Sequence, residues 1–376
     1  RSVAQDDVVS LFTELAALPS PPGEERAVAD RVSAYMRDLG LEVSEDDAGE
    51  RIGSTAGNLY ARVEGTDSGT PLFFCAHLDT VPPEAGIDPV LEAGVIRNAA
   101  GTILGADNKA AVAVMLEATR RLLSENRQHG GVELVFTPKE EVGLHGAAAF
   151  DHERLRARIG YVYDQAAPIG EVILGAPYAH SMEVKFHGRA AHAGMYPEDG
   201  RSAIAAAAKA VADFKLGRID EDSTANVGLI SGGTAGNIVP EWCSFLAEAR
   251  SHDPQKLADL VREMLEAATF AAGLEECEVE TEVHKSYSGY RFKRDDLAVR
   301  IARSGLERSG YEPSFRLSGG AADANVFNER GLACVNLANG MAEIHTPDEH
   351  IAVTDLERMV DVTLALVDVA RETDAA

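Results

Sequence analysis

The sequence predicts an α/β protein with a largely parallel central sheet and a smaller α+β domain inserted into it. Three observations carry this expectation. Short strands, among them the apolar, buried-type run Leu72–Ala76 and the segment Val132–Thr137, alternate with helical segments, the order of a parallel sheet. Near Pro177 the pattern changes to longer strands that alternate polar and apolar residues, and the α/β pattern returns after Ser288-Gly-Tyr. The length of 376 residues is long for one domain and comfortable for two. The expected division is 1–177 with 286–376 as the larger domain and 178–285 as the insertion.

Each element has its local reason. Val8, Val9, Leu11, Phe12 and Leu15 share one face of a first helix, and Leu18-Pro-Ser-Pro-Pro-Gly-Glu ends it. A second helix runs from Glu25 to Leu39 and stops at Gly40, as a C-cap would. Pro71–Ala76 is a strand, Asp107–Leu123 an Ala-rich helix opening on a capping Asp, and Gly131–Thr137 another strand. Ala147–Leu155 reads as helical and Ile159–Tyr163 as a strand. The inserted segment offers strand Ser181–His187, helix Arg201–Phe214, strands Ala225–Ile230 and Trp242–Arg250, helix Pro254–Ala272 and strand Cys277–His284. That β-α-β-β-α-β order belongs to a small two-layer domain. A helix at Leu297–Ser309 and a strand at Ala333–Leu337 complete the larger domain.

Composition excludes several partners. Hydrophobic residues at 45% and charged residues at 26% suit a globular chain rather than a disordered one. Acids outnumber bases 61 to 35, for a net charge of -26, which repels nucleic acid and disfavours anionic membrane surfaces. No apolar run approaches the roughly 20 residues that span a bilayer. The opening Arg1–Asp6 is polar and has no signal-peptide core. Cys75, Cys243, Cys277 and Cys334 are scattered without a C-x-x-C, and a reducing, cytoplasmic setting is the expectation. Most acids fall in polar stretches such as Ser44-Glu-Asp-Asp, so the charge reads as a solubility feature.

The chemistry lies in where acids and histidines fall. The strand at Leu72–Ala76 ends in His77-Leu-Asp79, and that at Val132–Thr137 in Pro-Lys-Glu140-Glu141. The strand at Tyr161–Tyr163 ends in Asp164, and Asp107 opens a helix. Sites in open α/β sheets form at the carboxyl ends of strands. Histidine with several carboxylates and no thiol suits zinc, cobalt or manganese. A carboxylate such as Asp107 can bridge two metals, one oxygen to each. Asp79, two residues after His77, can accept that ring's other N–H. Of the pair Glu140 and Glu141, one can bind metal while the other acts as a base. His345, after the strand at Ala333–Leu337, offers a last ligand.

These segments resemble the family of dinuclear zinc peptidases and deacylases that holds aminoacylase, glutamate carboxypeptidase and peptidase T. The likeness rests on Pro19–Glu24, His77-Leu-Asp79-Thr-Val-Pro, Gly105-Ala-Asp107-Asn-Lys-Ala, Thr137-Pro-Lys-Glu140-Glu141-Val-Gly, Asp164, His187-Gly-Arg-Ala-Ala-His192-Ala-Gly, Pro197-Glu-Asp-Gly-Arg-Ser, Gly236-Asn-Ile-Val-Pro240 and His345-Thr-Pro-Asp-Glu. It implies a three-layer α/β catalytic domain with an inserted lid that often mediates dimerisation. It implies that Asp107 bridges two divalent ions, most simply zinc, with His77 and Asp164 on one and Glu141 and His345 on the other. Glu140 would be the general base, Asp79 the partner of His77, and His192 a holder of the substrate carbonyl. Arg250, Asn237 and Gly319 fall where relatives meet substrate. Many relatives have Asp where this chain has Asn108.

Plainer readings stand beside these: Asp107 as a helix cap, Glu140 and Glu141 as solvated turn charges, Arg250 as a salt-bridge partner, and Gly319-Gly-Ala-Ala-Asp323-Ala-Asn as a tight loop. Asp164 in place of Glu, and Gly170-Glu-Val-Ile-Leu-Gly-Ala-Pro, look most like peptidase T-like proteins. The resemblance therefore implies an aminopeptidase on tripeptides or other short peptides. The alternatives are an N-acyl amino acid deacylase or carboxypeptidase of the same family, and a metal- or peptide-binding protein without turnover.

Overall fold

The computed structural model describes residues 7–373; the Arg1–Asp6 segment lies outside the described residues. The chain forms two compact units. One takes the described residues up to Gly175 and those from Arg291 on, and the other is Ala176–Tyr290, a few residues wider at each end than the expected insertion.

The larger unit is built on one sheet. Its strands lie in the order Val43–Glu45, Leu59–Val63, Val132–Thr137, Leu72–His77, Ile159–Gln165, Ala333–Ala338 and Glu171–Ala176, with Ser314–Leu317 beside the last. Leu72–His77 is parallel to both of its neighbours, and Ala333–Ala338 is parallel to Ile159–Gln165. The flanks differ from the expectation of a largely parallel sheet. Leu59–Val63 runs antiparallel to Val132–Thr137, and Glu171–Ala176 antiparallel to Ala333–Ala338. The sheet is therefore mixed, and burial shows why. The two central strands are buried at every residue, as parallel strands covered on both faces must be, whereas Leu59–Val63 alternates buried and half-buried.

Helices cover both faces. Phe74 points to Met115 and Thr119 of helix Ala106–Ser124, which lies against Val8–Ala16 and Val353–Arg371. Phe73, on the opposite face, meets Phe327 of helix Asp323–Glu329 with ring centres 4.9 Å apart. The Ala-rich helix Ala106–Ser124 is buried on nearly every side because small side chains let neighbours approach all round. Its Lys109 is buried too, with Nζ donating to the Leu18 carbonyl at 2.5 Å, and burial pushes its pKa down to about 7.

Several elements depart from the sequence reading. Asp107 does not cap its helix: Gly105 occupies the cap with φ +82, and Asp107 and Asn108, joined by a cis peptide bond, are not helical. The Ala147–Leu155 segment is a short helix, His145–Ala149, and a separate turn at His152–Arg154, because Phe150 is extended and Asp151 caps the turn. Residues 319–322 form a loop as expected, but Asp323, Ala324 and Asn325 open the helix Asp323–Glu329. Strand Glu171–Ala176 and helix Val353–Arg371 add to the expected set.

The smaller unit is a two-layer α+β domain. Its antiparallel sheet has the order Gly217–Arg218, Ser223–Gly232, Trp242–Ser251, Tyr178–His187, Glu278–Tyr287. The helices Ala203–Asp213 and Pro254–Leu274 pack on one face through Met182, Val184, Phe186, Phe245 and Ala249. Ser202 caps the first helix through Ala205 N–H, and Asp253 followed by Pro254 caps the second.

Candidate metal centre

The parallel strands deliver the predicted residues to one edge of the sheet. His77 ends Leu72–His77, Asp164 lies near the end of Ile159–Gln165, and Glu140 and Glu141 follow Val132–Thr137. Asp107 comes from the non-helical opening of the segment Ala106–Ser124, and His345 from the loop after Ala333–Ala338, where it adopts φ +64.

The side chains converge. His77 Nε2 lies 3.1 Å from Asp107 Oδ1, 3.7 Å from Asp164 Oδ1 and 3.8 Å from Glu140 Oε2. His345 Nε2 lies 3.1 Å from Asp107 Oδ2 and 3.1 Å from Glu141 Oε1. Two triads able to hold a metal ion, His77-Asp107-Asp164 and Asp107-Glu141-His345, thus share Asp107, which turns one oxygen to each imidazole; His77, Glu140 and Glu141 form a third. Glu140 and Glu141 both face the cluster although adjacent, because the backbone turns at Lys139, with φ +54.

Asp79 meets His77 through its main chain and serves a further purpose with its carboxylate. The Nδ1–H of His77 donates to the Asp79 main-chain carbonyl at 2.7 Å, while the Asp79 carboxylate is 3.5 Å away. Either contact leaves Nε2 as the lone-pair nitrogen facing the cluster. The buried carboxylate instead accepts the backbone N–H groups of Glu140, at 2.9 Å, and Glu141, at 3.1 Å. Asp79 therefore fixes the turn that presents both glutamates. Asn108 donates to the Tyr163 carbonyl and, at 3.2 Å, to Asp164 Oδ1. An Asp there would set a second carboxylate against Asp164, so the departure from the common pattern has a local consequence.

The electrostatics ask for cations. Burial, then Asp107, pushes Asp164 up to about 7, and burial raises Glu140 well above the carboxylate range despite His77. Hydrogen bonds that His345 donates to Asp107 and then to Glu141 raise its pKa to about 10. Burial works against Asp107, yet His345 and His77 hold it low. Among the described residues no Lys or Arg forms an ion pair with Asp107, Glu140, Glu141 or Asp164. Oxygen and imidazole donors without thiol, negative in sum and split into two triads, fit a pair of divalent ions.

Three acids around the cluster were not assigned a role from the sequence. Glu25 Oε1 accepts from Gly23 N–H and Lys139 N–H. Asp323 Oδ2 accepts from Thr137 Oγ1 at 2.5 Å, on the strand that leads to Glu140, and its other oxygen is buried without a partner. Glu349 accepts three backbone N–H groups beside Asp107. Their partners are distant in sequence; Thr137 and Asp323, for instance, are 186 residues apart.

Of the other predicted residues, Gly319 belongs to the larger unit and His192, Asn237 and Arg250 to the smaller one. Gly319 is exposed in the loop before Asp323–Glu329, with open space around it. His192, in the smaller unit, accepts the N–H groups of Gly194 and Met195 on Nδ1, both at 3.2 Å. In the neutral ring Nε2 then carries the proton and is a donor. Asn237 holds the same loop, its carbonyl accepting from Ala193 N–H at 3.0 Å. Arg250 is at the other end of the sheet, paired two-pronged with Glu248 at 3.0 Å. His192 is bridged to Ile238, ahead of Trp242 where the strand begins, and from Trp242 to Arg250 that strand runs eight residues at ~3.3 Å each, about 26 Å. One chain does not bring them together.

Comparison with known proteins bears on these features. The profile of peptidase family M20/M25/M40 matches residues 73–369. The solved structure of aminopeptidase PepT from Bacillus cereus ATCC 10987 is 40% identical, with TM-score 0.89, covering 96% of this chain and 98% of that one. A tripeptidase from Staphylococcus aureus is 34% identical with TM-score 0.93, covering 97% and 98%. The uncharacterized protein YqjE of Bacillus subtilis is 38% identical over 96% of this chain and 97% of its own length.

Proposed function

The chain belongs to peptidase family M20/M25/M40, and on that premise we propose that it is a metal-dependent aminopeptidase acting on tripeptides and other short peptides. The observation that carries the proposal is the double triad, His77-Asp107-Asp164 and Asp107-Glu141-His345, with the buried Glu140 at its edge. The named activities of the Bacillus cereus and Staphylococcus aureus relatives support the substrate class.

His77 and Asp164 would hold one divalent ion and Glu141 and His345 the other, with Asp107 between them; zinc suits this set, as do cobalt and manganese. Such a pair supplies Lewis acidity for the carbonyl and makes water acidic near neutral pH. Glu140 takes the proton of the attacking water and returns it to the leaving amine. Asp79 keeps Glu140 in place through the backbone of the turn. His192 Nε2–H donates to the carbonyl oxygen as that oxygen gains charge.

We place the protein in the cytoplasm as a homodimer through the smaller unit. Strand Gly217–Arg218 pairs only with Thr224 and Ala225, and among the described residues the outer edge of Ser223–Gly232 is open beyond them, with Leu229 and Ile230 exposed. An open edge invites a second strand. A short peptide does not span about 26 Å, so if His192 and Arg250 serve one site, a second copy supplies one of them.

The test is Glu140→Ala, assayed on a tripeptide and on an N-acyl amino acid. Metal content should stay at the wild-type level while tripeptide turnover falls by at least about 100-fold. Near-normal turnover would remove Glu140 as the base. Wild-type activity confined to the N-acyl amino acid would replace the aminopeptidase reading with a deacylase.

A further inference from the structure

We propose that Glu349 is a positioning residue: it fixes Asp107 and thereby the geometry of the two cation sites. The inference rests on the metal-dependent reading above. The Glu349 carboxylate is buried, and its surroundings on the Asp107 side are backbone donors. Oε2 accepts from Leu104 N–H at 2.7 Å and Gly105 N–H at 2.8 Å, and Oε1 accepts from Asp107 N–H at 2.9 Å. These donors lie at the start of helix Ala106–Ser124, whose cap residue is Gly105, without a side chain to satisfy them. A helix start leaves N–H groups that a local Ser, Asp or Asn usually accepts and that favour negative charge. Glu349 does this from more than 240 residues away.

The same loop carries His345. It is closed at its base, where Ala342 N–H donates to the His350 carbonyl at 3.0 Å and His350 N–H to the Ala342 carbonyl at 3.1 Å. His350–Ala352 then pairs with strand Val95–Asn98. One anchored loop thus grips Asp107 twice: Glu349 holds its main chain, and His345 Nε2 stands 3.1 Å from its Oδ2. The separation of the two oxygens of Asp107 from His77 and His345 follows from that double grip. A carboxylate is needed because donors meet both oxygens. A glutamine in the same shape would turn an NH2 against one or two of the N–H groups, and an aspartate would fall short by a methylene.

The experiment uses the full-length protein and its E349Q and E349D variants, each stripped with a chelator and titrated with Zn2+ and, separately, Co2+. Both variants should stay folded without metal, yet bind the pair of ions about 10- to 100-fold more weakly, with an altered visible spectrum of bound Co2+. Wild-type affinity and spectrum in E349Q, even with lowered thermal stability, would show that Glu349 serves the fold alone and overturn the proposal. Failure of both variants to fold would overturn it in the same way. A wild-type protein that binds no pair of ions overturns the proposed function itself, a result read before either variant.

Discussion

Asp79→Asn should cripple the enzyme by loosening the turn that presents the base. The Asp79 carboxylate is fully buried and accepts one N–H on each oxygen, from Glu140 at 2.9 Å and Glu141 at 3.1 Å. Asparagine keeps one acceptor and turns an NH2 toward the other amide. The loss is one hydrogen bond to a charged group, about 1.5–3 kcal/mol, and one buried N–H left unpaired, so about 2–4 kcal/mol in all where the two overlap. At about 1.4 kcal/mol per decade this is roughly 30- to 700-fold. The strained turn carries the base, so the loss should fall mainly on kcat, with a smaller change in KM. Initial rates on a tripeptide, metal content and thermal unfolding would be measured together. A loss of the His77-side ion with normal kcat in the reloaded enzyme would mean that Asp79 acts through the imidazole. Wild-type kcat, metal content and unfolding temperature would refute the reasoning altogether.

Asp107→Ala should abolish binding of the ion pair, because it removes the one carboxylate common to the two triads; elemental analysis after dialysis should find less than one ion per chain, and two retained ions would contradict it. His152 gives an acid sensitivity remote from that chemistry. It is wedged edge-on between Phe150 and Phe327, and burial, then Arg330, pushes its pKa down to about 4. The unfolded chain, with an ordinary pKa near 6.5, binds the proton first, so stability present above about pH 6.5 is lost as pH falls toward 4. Allowing for partial solvent access, the slope from this group is roughly 1 kcal/mol per pH unit. Urea unfolding of His152→Phe across that range should show a shallower decline than wild type, and parallel curves would refute the assignment.

The sequence made some features plain because their cause is local. The run Leu72–Ala76 is apolar throughout, and Val132–Thr137 is apolar but for Glu133 and Thr137, because both faces of each strand are covered. Histidines and acids at the ends of such runs stand out because a charge is costly in a buried strand. What lay hidden depends on distant partners. Nothing near Asp107 says that its helix lacks a side-chain cap, or that an acid in the loop of His345 replaces it. The spacing of His77 and Asp79 points to that pair, yet the backbone amides of Glu140 and Glu141 come closer to the Asp79 carboxylate. The antiparallel flanks were illegible for the same reason, since strand direction is set by pairing rather than by composition.

The sequence by itself determined which side chains can do chemistry here and at which strand ends they stand, because burial and residue type are written in hydrophobic pattern. Only the tertiary structure decided how they are aimed. It divided the oxygens of Asp107 between His77 and His345, gave the Asp79 carboxylate to a turn, and put His192 and Arg250 at opposite ends of one sheet. Direction at a site is fixed by hydrogen bonds between segments far apart in the chain, and such bonds form only when the fold brings their partners within about 3 Å.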